Sequence, residues 1–235
     1  MTHNERYSLA MRLAEDFWKE HGDRCICCCL YGSTSRGEDT RWSDIELFAI
    51  TREKVSPSFL LVDTVPSSIN TMTESHLLDI LLNPGERWPF YAGLVKGLEV
   101  LFGDTSVPER YYAAAIEVPY ESFRKALKES ISELVFESWG RILSCIARKK
   151  HEDIYCAVIE TLLEMRTALC LLNARHVNRD YFEGIRETFG FERIPERYAF
   201  LATRLWKSRD PFGIARDARE LMANYRSLLR KEGLL

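Results

Sequence analysis

The sequence pattern changes near residue 105 from short β-type runs to long helical segments, and this change constrains the fold more than any other feature of the sequence. Before it, β-type runs at 25–31, 44–50 and 59–66 alternate with helical or turn-rich segments, and 97–102 has the pattern of a further strand. After it, long segments of helical periodicity follow with few breaks, and the whole chain of 235 residues has only 12 Gly and 8 Pro. Strands followed by helices predict an α+β fold, in which a mixed sheet flanked by helices precedes a C-terminal helical bundle.

We place the boundary between these two domains at Glu117–Pro119, with a first domain over 1–118 and a helical bundle domain over 119–235. The charge changes sign at about the same place. Residues 1–120 contain 11 basic and 18 acidic side chains, a net charge of −7, whereas 121–235 contain 21 basic and 17 acidic ones, a net charge of +4. An acidic first half repels polyanions and attracts polycations, so we expect no nucleic-acid partner and a cationic small molecule instead.

Two features of the sequence bear on its location. No apolar run approaches the roughly 18 residues of a membrane span. The charged N-terminal segment also lacks the apolar core of a secretion signal. We therefore expect a cytoplasmic protein with no membrane partner.

Four of the seven cysteines lie in the hexapeptide CICCCL, at Cys25, Cys27, Cys28 and Cys29. On an extended strand Cys25, Cys27 and Cys29 face one way and Cys28 the other, which suits neither a four-ligand metal site nor unstrained disulfides. We interpret these cysteines as small buried hydrophobic residues, because free cysteine is among the most buried residue types. A metal or redox role is the alternative.

The segment with the most chemical information is 31–50, YGSTSRGEDTRWSDIELFAI. A buried strand ends at Tyr31, a polar loop follows, and a second strand opens with Asp44 and Glu46. Residues two apart on a strand share a face, and adjacent carboxylates resist ionising together unless a cation lies between them. A hard ion such as Mg²⁺, which takes oxygen ligands and retains substrate phosphates in its shell, fits this pair.

The loop between the two strands adds groups that suit phosphate. Gly32 lets the backbone approach an anion closely, and the Ser33 hydroxyl and nearby N–H groups can donate to anionic oxygens. Arg36 can add a charge-assisted hydrogen bond. Together with the carboxylate pair, these residues predict a site for Mg²⁺ and a nucleoside triphosphate.

The pattern of Gly-Ser, ten intervening residues and Asp-x-Glu resembles the nucleotidyltransferase superfamily that includes DNA polymerase beta. Within it, GSTSRGEDTRWSDIE is most similar to the kanamycin nucleotidyltransferases. The resemblance extends to Trp88-Pro89 and to ELVFESWGR, where the family has a Glu followed four residues on by a Lys, and this chain has Glu137 and Arg141.

The resemblance implies a role for each matched residue. Asp44 and Glu46 bind Mg²⁺ and belong to the catalytic centre, and Gly32, Ser33 and Arg36 bind the triphosphate. For the later segment, the resemblance implies that Glu137 is the general base and Arg141 the cation near the phosphate.

Three of the expected site residues have a plainer interpretation as well. In the helix predicted over 120–149, Glu137 and Arg141 have the i,i+4 spacing of a solvated surface ion pair. A third metal ligand is expected on the neighbouring strand, and Asp63 in LLVDTV is the candidate because a carboxylate among apolar residues needs a compensating charge. The alternative is that Asp63 is solvated at a strand end, just before Pro66.

The implied reaction transfers a nucleoside monophosphate, AMP from ATP, to a hydroxyl of a small molecule, for which an aminoglycoside is the leading candidate. Kanamycin nucleotidyltransferases work as dimers, so the resemblance also implies a homodimer. Two alternatives remain: a nucleotidyltransferase that modifies a protein partner, as in toxin–antitoxin modules, and a non-catalytic member that binds nucleotide.

Overall fold

The computed structural model of the protein describes residues 1–179 and 181–235. They form two compact units, the first Met1–Asn83 with Tyr91–Val118 and the second Pro84–Phe90 with Pro119–Leu235. The first unit contains a five-stranded mixed sheet, and the described elements after residue 118 are helices, so the predicted α+β class is confirmed. Asp180, which falls within the helical domain predicted over 119–235, lies outside the described residues.

The sheet is assembled from strands of five to nine residues. These are β1 (Cys25–Tyr31), β2 (Ile45–Thr51), β3 (Ser58–Val62), β4 (Val65–Thr73) and β5 (Glu99–Gly103). The helices as far as residue 118 are α1 (His3–His21), α2 (Gly32–Ser35), α3 (Glu74–Leu82), α4 (Trp88–Lys96) and α5 (Val107–Ile116).

The strand order across the sheet is β3-β4-β2-β1-β5. Neighbouring strands are antiparallel except β2 and β4, which run parallel. This arrangement places Glu46 of β2 in a row with Tyr31 of β1 on one side and Ser68 of β4 on the other.

Helix α1 covers one face of the sheet. A capping box between Thr2 and Glu5 starts the helix, and its apolar stripe faces the strands. The stripe and the strand residues form one buried cluster that includes Leu9, Ala10, Ala14, Phe17, Cys28, Leu30, Ile45, Leu47 and Ala49. Each fully buried large aliphatic side chain contributes about 1.5–3 kcal/mol, so this cluster is a main source of the stability of the first unit.

The interpretation of the cysteines as core residues is confirmed, since Cys25 is 1% exposed and Cys27, Cys28 and Cys29 are 0% exposed. Their predicted alternation is wrong at one point. The pairing of β1 with β2 shifts register between Cys25 and Cys27, and this irregularity puts Cys25 in the same buried cluster as Cys28. A β-bulge inserts one extra residue and so reverses the face to which the earlier residues belong.

The single strand predicted over 59–66 is also wrong, because β3 and β4 form a hairpin there. Val62 pairs with Val65 at its end, and the turn consists of Asp63 and Thr64, with φ of 48° and 67°. Two successive residues with positive φ are typical of the tight turns that match the twist of a hairpin. Asp favours such a turn, but the residues before it are apolar, so the sequence pattern predicts a continuous strand instead.

The described helices after residue 118 are α6 (Tyr120–Ser130), α7 (Phe136–Ala147), α8 (Ile154–Asn173), α9 (Tyr181–Glu187), α10 (Tyr198–Lys207) and α11 (Pro211–Lys231). The single helix predicted over 120–149 is wrong, because turn residues 131–135 separate α6 from α7. Val135, immediately before α7, has φ of 76°, a backbone conformation that interrupts a right-handed helix. Among the described helices, none is both long enough and apolar enough to cross a bilayer.

Candidate active site

The Gly-Ser turn at the end of β1 is shaped around Glu46. Gly32 has φ of 77°, and a Cβ added to it would lie 2.1 Å from Oε2 of Glu46. Glycine is therefore required at this position for two reasons: its backbone conformation has positive φ, and the carboxylate occupies the space that a side chain would need. The loop then folds back on itself, since the N–H of Glu38 donates to the carbonyl oxygen of Ser33 over 2.9 Å.

The two expected metal ligands stand at the start of β2. Asp44 is exposed and immediately precedes the strand, and Glu46 is half-buried on it. Glu46 lies on the face of the sheet opposite the one that α1 covers, and the two-residue spacing predicts the same side for Asp44. Gly32 and Glu46 therefore lie together, Asp44 stands two residues before Glu46, and the metal roles of the two carboxylates stay predictions.

Tyr31 and Asn70 accompany Glu46 on this face of the sheet. Nδ2 of Asn70 donates to the hydroxyl of Tyr31 over 3.1 Å, and that hydroxyl also forms a hydrogen bond with the Glu46 carboxylate. Burial and the Glu46 charge raise the pKa of Tyr31 above its ordinary value. The phenol thus stays protonated and serves as a donor, a role that the sequence analysis did not predict.

Ser33 lies in the turn and Arg36 in the loop that follows it, and both are expected phosphate ligands. Ser33 is half-buried within the short α2 helix. Arg36 is 38% exposed, and its Nε lies 3.0 Å from Oε2 of Glu38. Such a surface ion pair contributes well under about 1 kcal/mol, so it leaves Arg36 able to exchange Glu38 for a phosphate.

A buried arginine fixes the loop that joins the turn to Asp44. Arg6 of α1 is 0% exposed, its Nε lies 3.4 Å from Oδ2 of Asp39, and its Nη1 donates to the carbonyl oxygen of Ser43. The Asp39 side chain is 3% exposed, and its Oδ1 also lies 2.5 Å from Nδ1 of His3. The sequence carries a signal for this contact, because Arg6 falls at helical spacing on the same stripe as Ala10 and Ala14.

Asp63, the expected third metal ligand, lies in the exposed turn between β3 and β4. The position beside Glu46 on β4 belongs to Ser68, three residues beyond Val65 at the turn. Three residues of extended strand span about 10 Å. The structure thus places Asp63 apart from the other two carboxylates, with the neutral Ser68 and Asn70 on the neighbouring strand, and a metal role for Asp63 stays a prediction.

Glu137 and Arg141, the expected base and cation, lie on α7 in the second unit. Nη2 of Arg141 is 2.6 Å from Oε1 of Glu137, and Nη1 of the same guanidinium donates to Glu160 of α8. Glu137 and Arg141 are 62% and 51% exposed. Both side chains are therefore accessible to a ligand from solvent.

The start of α7 depends on a third carboxylate from α8. Glu164 accepts hydrogen bonds from the N–H of Val135, over 2.9 Å, and from the hydroxyl of Ser138. Burial raises the pKa of Glu164, against the lowering effect of these two hydrogen bonds. Because the Val135 N–H and the first turn of a helix attract negative charge, Glu164 stabilises the strained residue from which the Glu137 helix begins.

The donor set of the first unit suits a hard divalent cation. Among the residues that the structure describes, no three His, Cys, Asp or Glu side chains form a metal-binding group. Mg²⁺ in nucleotide sites is held by one or two carboxylates, with substrate phosphates and water as its other ligands. Asp44 and Glu46 supply oxygen ligands in that number, so they fit Mg²⁺ brought in with a nucleotide.

Comparison with known proteins supports the resemblance seen in the sequence. Two curated relatives, from Staphylococcus aureus and from a Bacillus species, are each an aminoglycoside nucleotidyltransferase (4') and are 26% identical to this chain over 143 residues. The match covers 60% of this chain and 56% of each relative, so the chain aligns with little more than half the length of these relatives. No model of a known protein family matches the chain.

The fold has a counterpart among solved structures. A nucleotidyltransferase-like protein from Exiguobacterium sibiricum superposes with a TM-score of 0.52 and 14% sequence identity, over 94% of this chain and 75% of that one. At this identity the likeness concerns the fold alone. The chain is thus similar in sequence to two aminoglycoside nucleotidyltransferases and similar in fold to a nucleotidyltransferase-like protein.

Proposed function

We propose that this protein is a Mg²⁺-dependent nucleotidyltransferase that transfers AMP from ATP to a hydroxyl of a small cationic molecule of the aminoglycoside class. The observation that carries the proposal is the seating of Glu46 against Gly32, with Asp44 two residues before it. This arrangement joins a turn suited to phosphate with a carboxylate pair suited to Mg²⁺. The names of the two curated relatives support the same reaction class.

Each residue has a defined part in the proposed reaction. Asp44 and Glu46 hold the cation, which when bound neutralises charge on the α-phosphate and the departing pyrophosphate. Ser33 donates to phosphate oxygens, and Arg36 orients the triphosphate after leaving Glu38. Positioning and electrostatic stabilisation supply most of the acceleration in reactions of this kind.

The proton of the acceptor hydroxyl goes to Glu137. Its carboxylate accepts that proton while the hydroxyl oxygen forms a bond to the α-phosphorus, and the bond from the α-phosphorus to the oxygen that bridges to the β-phosphate breaks. Pyrophosphate leaves with the electron pair of that bond. Arg141 holds the Glu137 carboxylate through its 2.6 Å contact and adds positive charge near the phosphates.

Charge supports a cationic acceptor. Residues 1–120 have a net charge of −7, which attracts a polyamine and repels a nucleic acid. Aminoglycosides combine several amines with several hydroxyls, so one molecule offers both the attraction and the nucleophile.

The test uses ATP labelled on its α-phosphate, Mg²⁺ and a panel of aminoglycosides, and it follows both pyrophosphate release and label on the acceptor. We expect transfer by the wild type and by Asp16→Asn, which changes an aspartate of α1 that is 78% exposed, and loss of transfer in Asp44→Asn. Absence of transfer to every acceptor would overturn the assigned acceptor class. Label on a protein in a reaction without aminoglycoside would favour the protein-modifying alternative.

A further inference from the structure

The hydroxyl of Tyr31 occupies a position from which it can control the direction of the Glu46 carboxylate. Tyr31 and Glu46 are paired residues on the antiparallel strands β1 and β2, and the phenol is hydrogen-bonded to the carboxylate. The aromatic ring itself is held by an edge-to-face contact with Phe48, with ring centroids 6.4 Å apart. The hydroxyl is therefore carried by a ring that is fixed by its neighbours.

Asn70 determines which way the Tyr31 proton points. Its Nδ2 donates to the Tyr31 oxygen over 3.1 Å and to the Ser68 hydroxyl over 3.4 Å. An amide nitrogen can only donate, and a phenol has a single proton. With its oxygen already accepting from Asn70, the Tyr31 hydroxyl directs that proton to Glu46.

The carboxylate also lies against the turn at Gly32. Oε2 of Glu46 lies 2.1 Å from the position that a Cβ of residue 32 would occupy, so any side chain there would clash with the carboxylate. The Tyr31 hydroxyl and the Gly32 turn thus both limit the orientations open to the carboxylate. Its orientation is set before any cation or nucleotide arrives, which lowers the cost of ordering it on binding.

We propose that Tyr31 and Asn70 are positioning residues that orient Glu46 through a directed pair of hydrogen bonds, from Asn70 to Tyr31 and from Tyr31 to the carboxylate. This inference rests on the proposed function, because it assigns Glu46 to the cation. Outer partners of metal ligands typically change metal affinity by about 10- to 100-fold when they are removed. Asn70 acts only through Tyr31, so its effect disappears when the phenol hydroxyl is absent.

The test measures binding of Mn²⁺ alone by electron paramagnetic resonance, with Mg²⁺ as competitor. We expect Tyr31→Phe to raise the Kd of Mn²⁺ about tenfold, and Asn70→Ala to raise it by a smaller factor. The double variant should have the Kd of Tyr31→Phe, since the two residues form one chain of interactions. In turnover assays we expect kcat to fall while KM for the acceptor stays constant.

The chain offers a matched control for the loss of a tyrosine hydroxyl. Tyr7 donates to Oε1 of Glu99 over 2.6 Å, another tyrosine–glutamate pair in the first unit. Tyr7→Phe should leave the Kd of Mn²⁺ unchanged. Thermal unfolding of all variants establishes that they are folded, and Asn70→Ala retains the test should Tyr31→Phe unfold.

Three results would overturn the inference, and they are distinguishable. If Glu46→Gln abolishes Mn²⁺ binding but Tyr31→Phe and Asn70→Ala bind as the wild type does, the positioning role is wrong and the proposed function stands. If Glu46→Gln binds Mn²⁺ as the wild type does, the metal role of Glu46 in the proposed function fails, and the inference fails with it. Additive effects of the two substitutions on the Kd of Mn²⁺ in the double variant would also contradict the proposal that Asn70 acts through Tyr31.

Discussion

Nε of Arg6 lies 3.4 Å from Oδ2 of Asp39, and the two side chains are 0% and 3% exposed. The pair joins helix α1 to the loop between the Gly-Ser turn and Asp44. Arg6 also donates to the carbonyl oxygen of Ser43, the residue before Asp44. A buried ion pair of this kind is strongly coupled to the structure around it, because neither charge can be left alone.

Removal of this arginine should destabilise the first unit. We expect Arg6→Met to lower the free energy of unfolding by about 3 kcal/mol, because the buried Asp39 carboxylate loses its arginine partner and keeps only the contact with His3. Urea denaturation followed by circular dichroism measures the change. Arg12→Met, at an exposed position on the same helix, is the control, and equal stability of the two variants would refute the role of Arg6.

The two loop glycines separate backbone strain from loss of the site. Gly32 and Gly37 have φ of 77° and 65°, but an added Cβ meets Glu46 at the first position and nothing within 4 Å at the second. Both Gly→Ala variants should lose about 1 kcal/mol of stability from the left-handed conformation. Only Gly32→Ala should also weaken Mn²⁺ binding and turnover, so similar loss of binding in Gly37→Ala would contradict this account.

Glu137→Gln tests the proposed general base. We expect kcat to fall about 100-fold or more with little change in the KM for ATP, because the amide cannot accept the hydroxyl proton. Glu160→Gln is the matched control, since Glu160 contacts the same guanidinium of Arg141. Equal losses in the two variants would trace the effect to the position of Arg141 and not to proton transfer.

Glu164 makes stability depend on pH in a predictable direction. Burial raises its pKa above the ordinary 4.5. A carboxyl group with a raised folded-state pKa adds stability below its unfolded pKa, and this contribution is lost as the pH rises through the folded-state value. The side chain of the Glu164→Gln variant does not titrate. The free energy of unfolding of this variant, minus that of the wild type, should therefore increase as the pH is raised from 4 to 8.

The measurement is the difference in unfolding free energy between the two proteins at each pH, in which their common titrations cancel. A difference that is constant or that decreases over this range would contradict the assigned pKa shift. Glu164→Leu removes the acceptor as well as the charge. It should lower stability at every pH by about 1–3 kcal/mol, because the Val135 N–H loses its partner.

The sequence predicted the parts of the fold that depend on local pattern. Helix α1, strand β1, strand β2 and the order of strands and helices follow from periodicity and turn residues. The Gly-Ser turn and the carboxylate pair could be found because they are close in sequence and share one loop. The nucleotidyltransferase resemblance rested on the same segment.

Apart from the local turn at Asp63-Thr64, the features that the sequence did not predict arose where distant residues decide the conformation. The break at Val135 is held by Glu164, 29 positions away, and the sequence around Val135 has neither Gly nor Pro. Tyr31 and Asn70 are 39 positions apart and meet because β4 pairs with β2 and β1 pairs with β2. Periodicity within single segments contains no information on such contacts.

The buried cysteines of β1 allow opening of the sheet to be measured by thiol modification. Cys27, Cys28 and Cys29 are 0% exposed on a strand with β2 on one side and β5 on the other, and burial raises the pKa of Cys28 to about 12. Cys156, by contrast, is exposed. A thiol reagent thus modifies Cys156 in the folded protein and reaches the β1 thiols only in molecules whose sheet has opened. Slow modification that peptide mapping assigns to β1, and not to the buried Cys170 of α8, therefore reports how often the strands beneath the carboxylate pair separate.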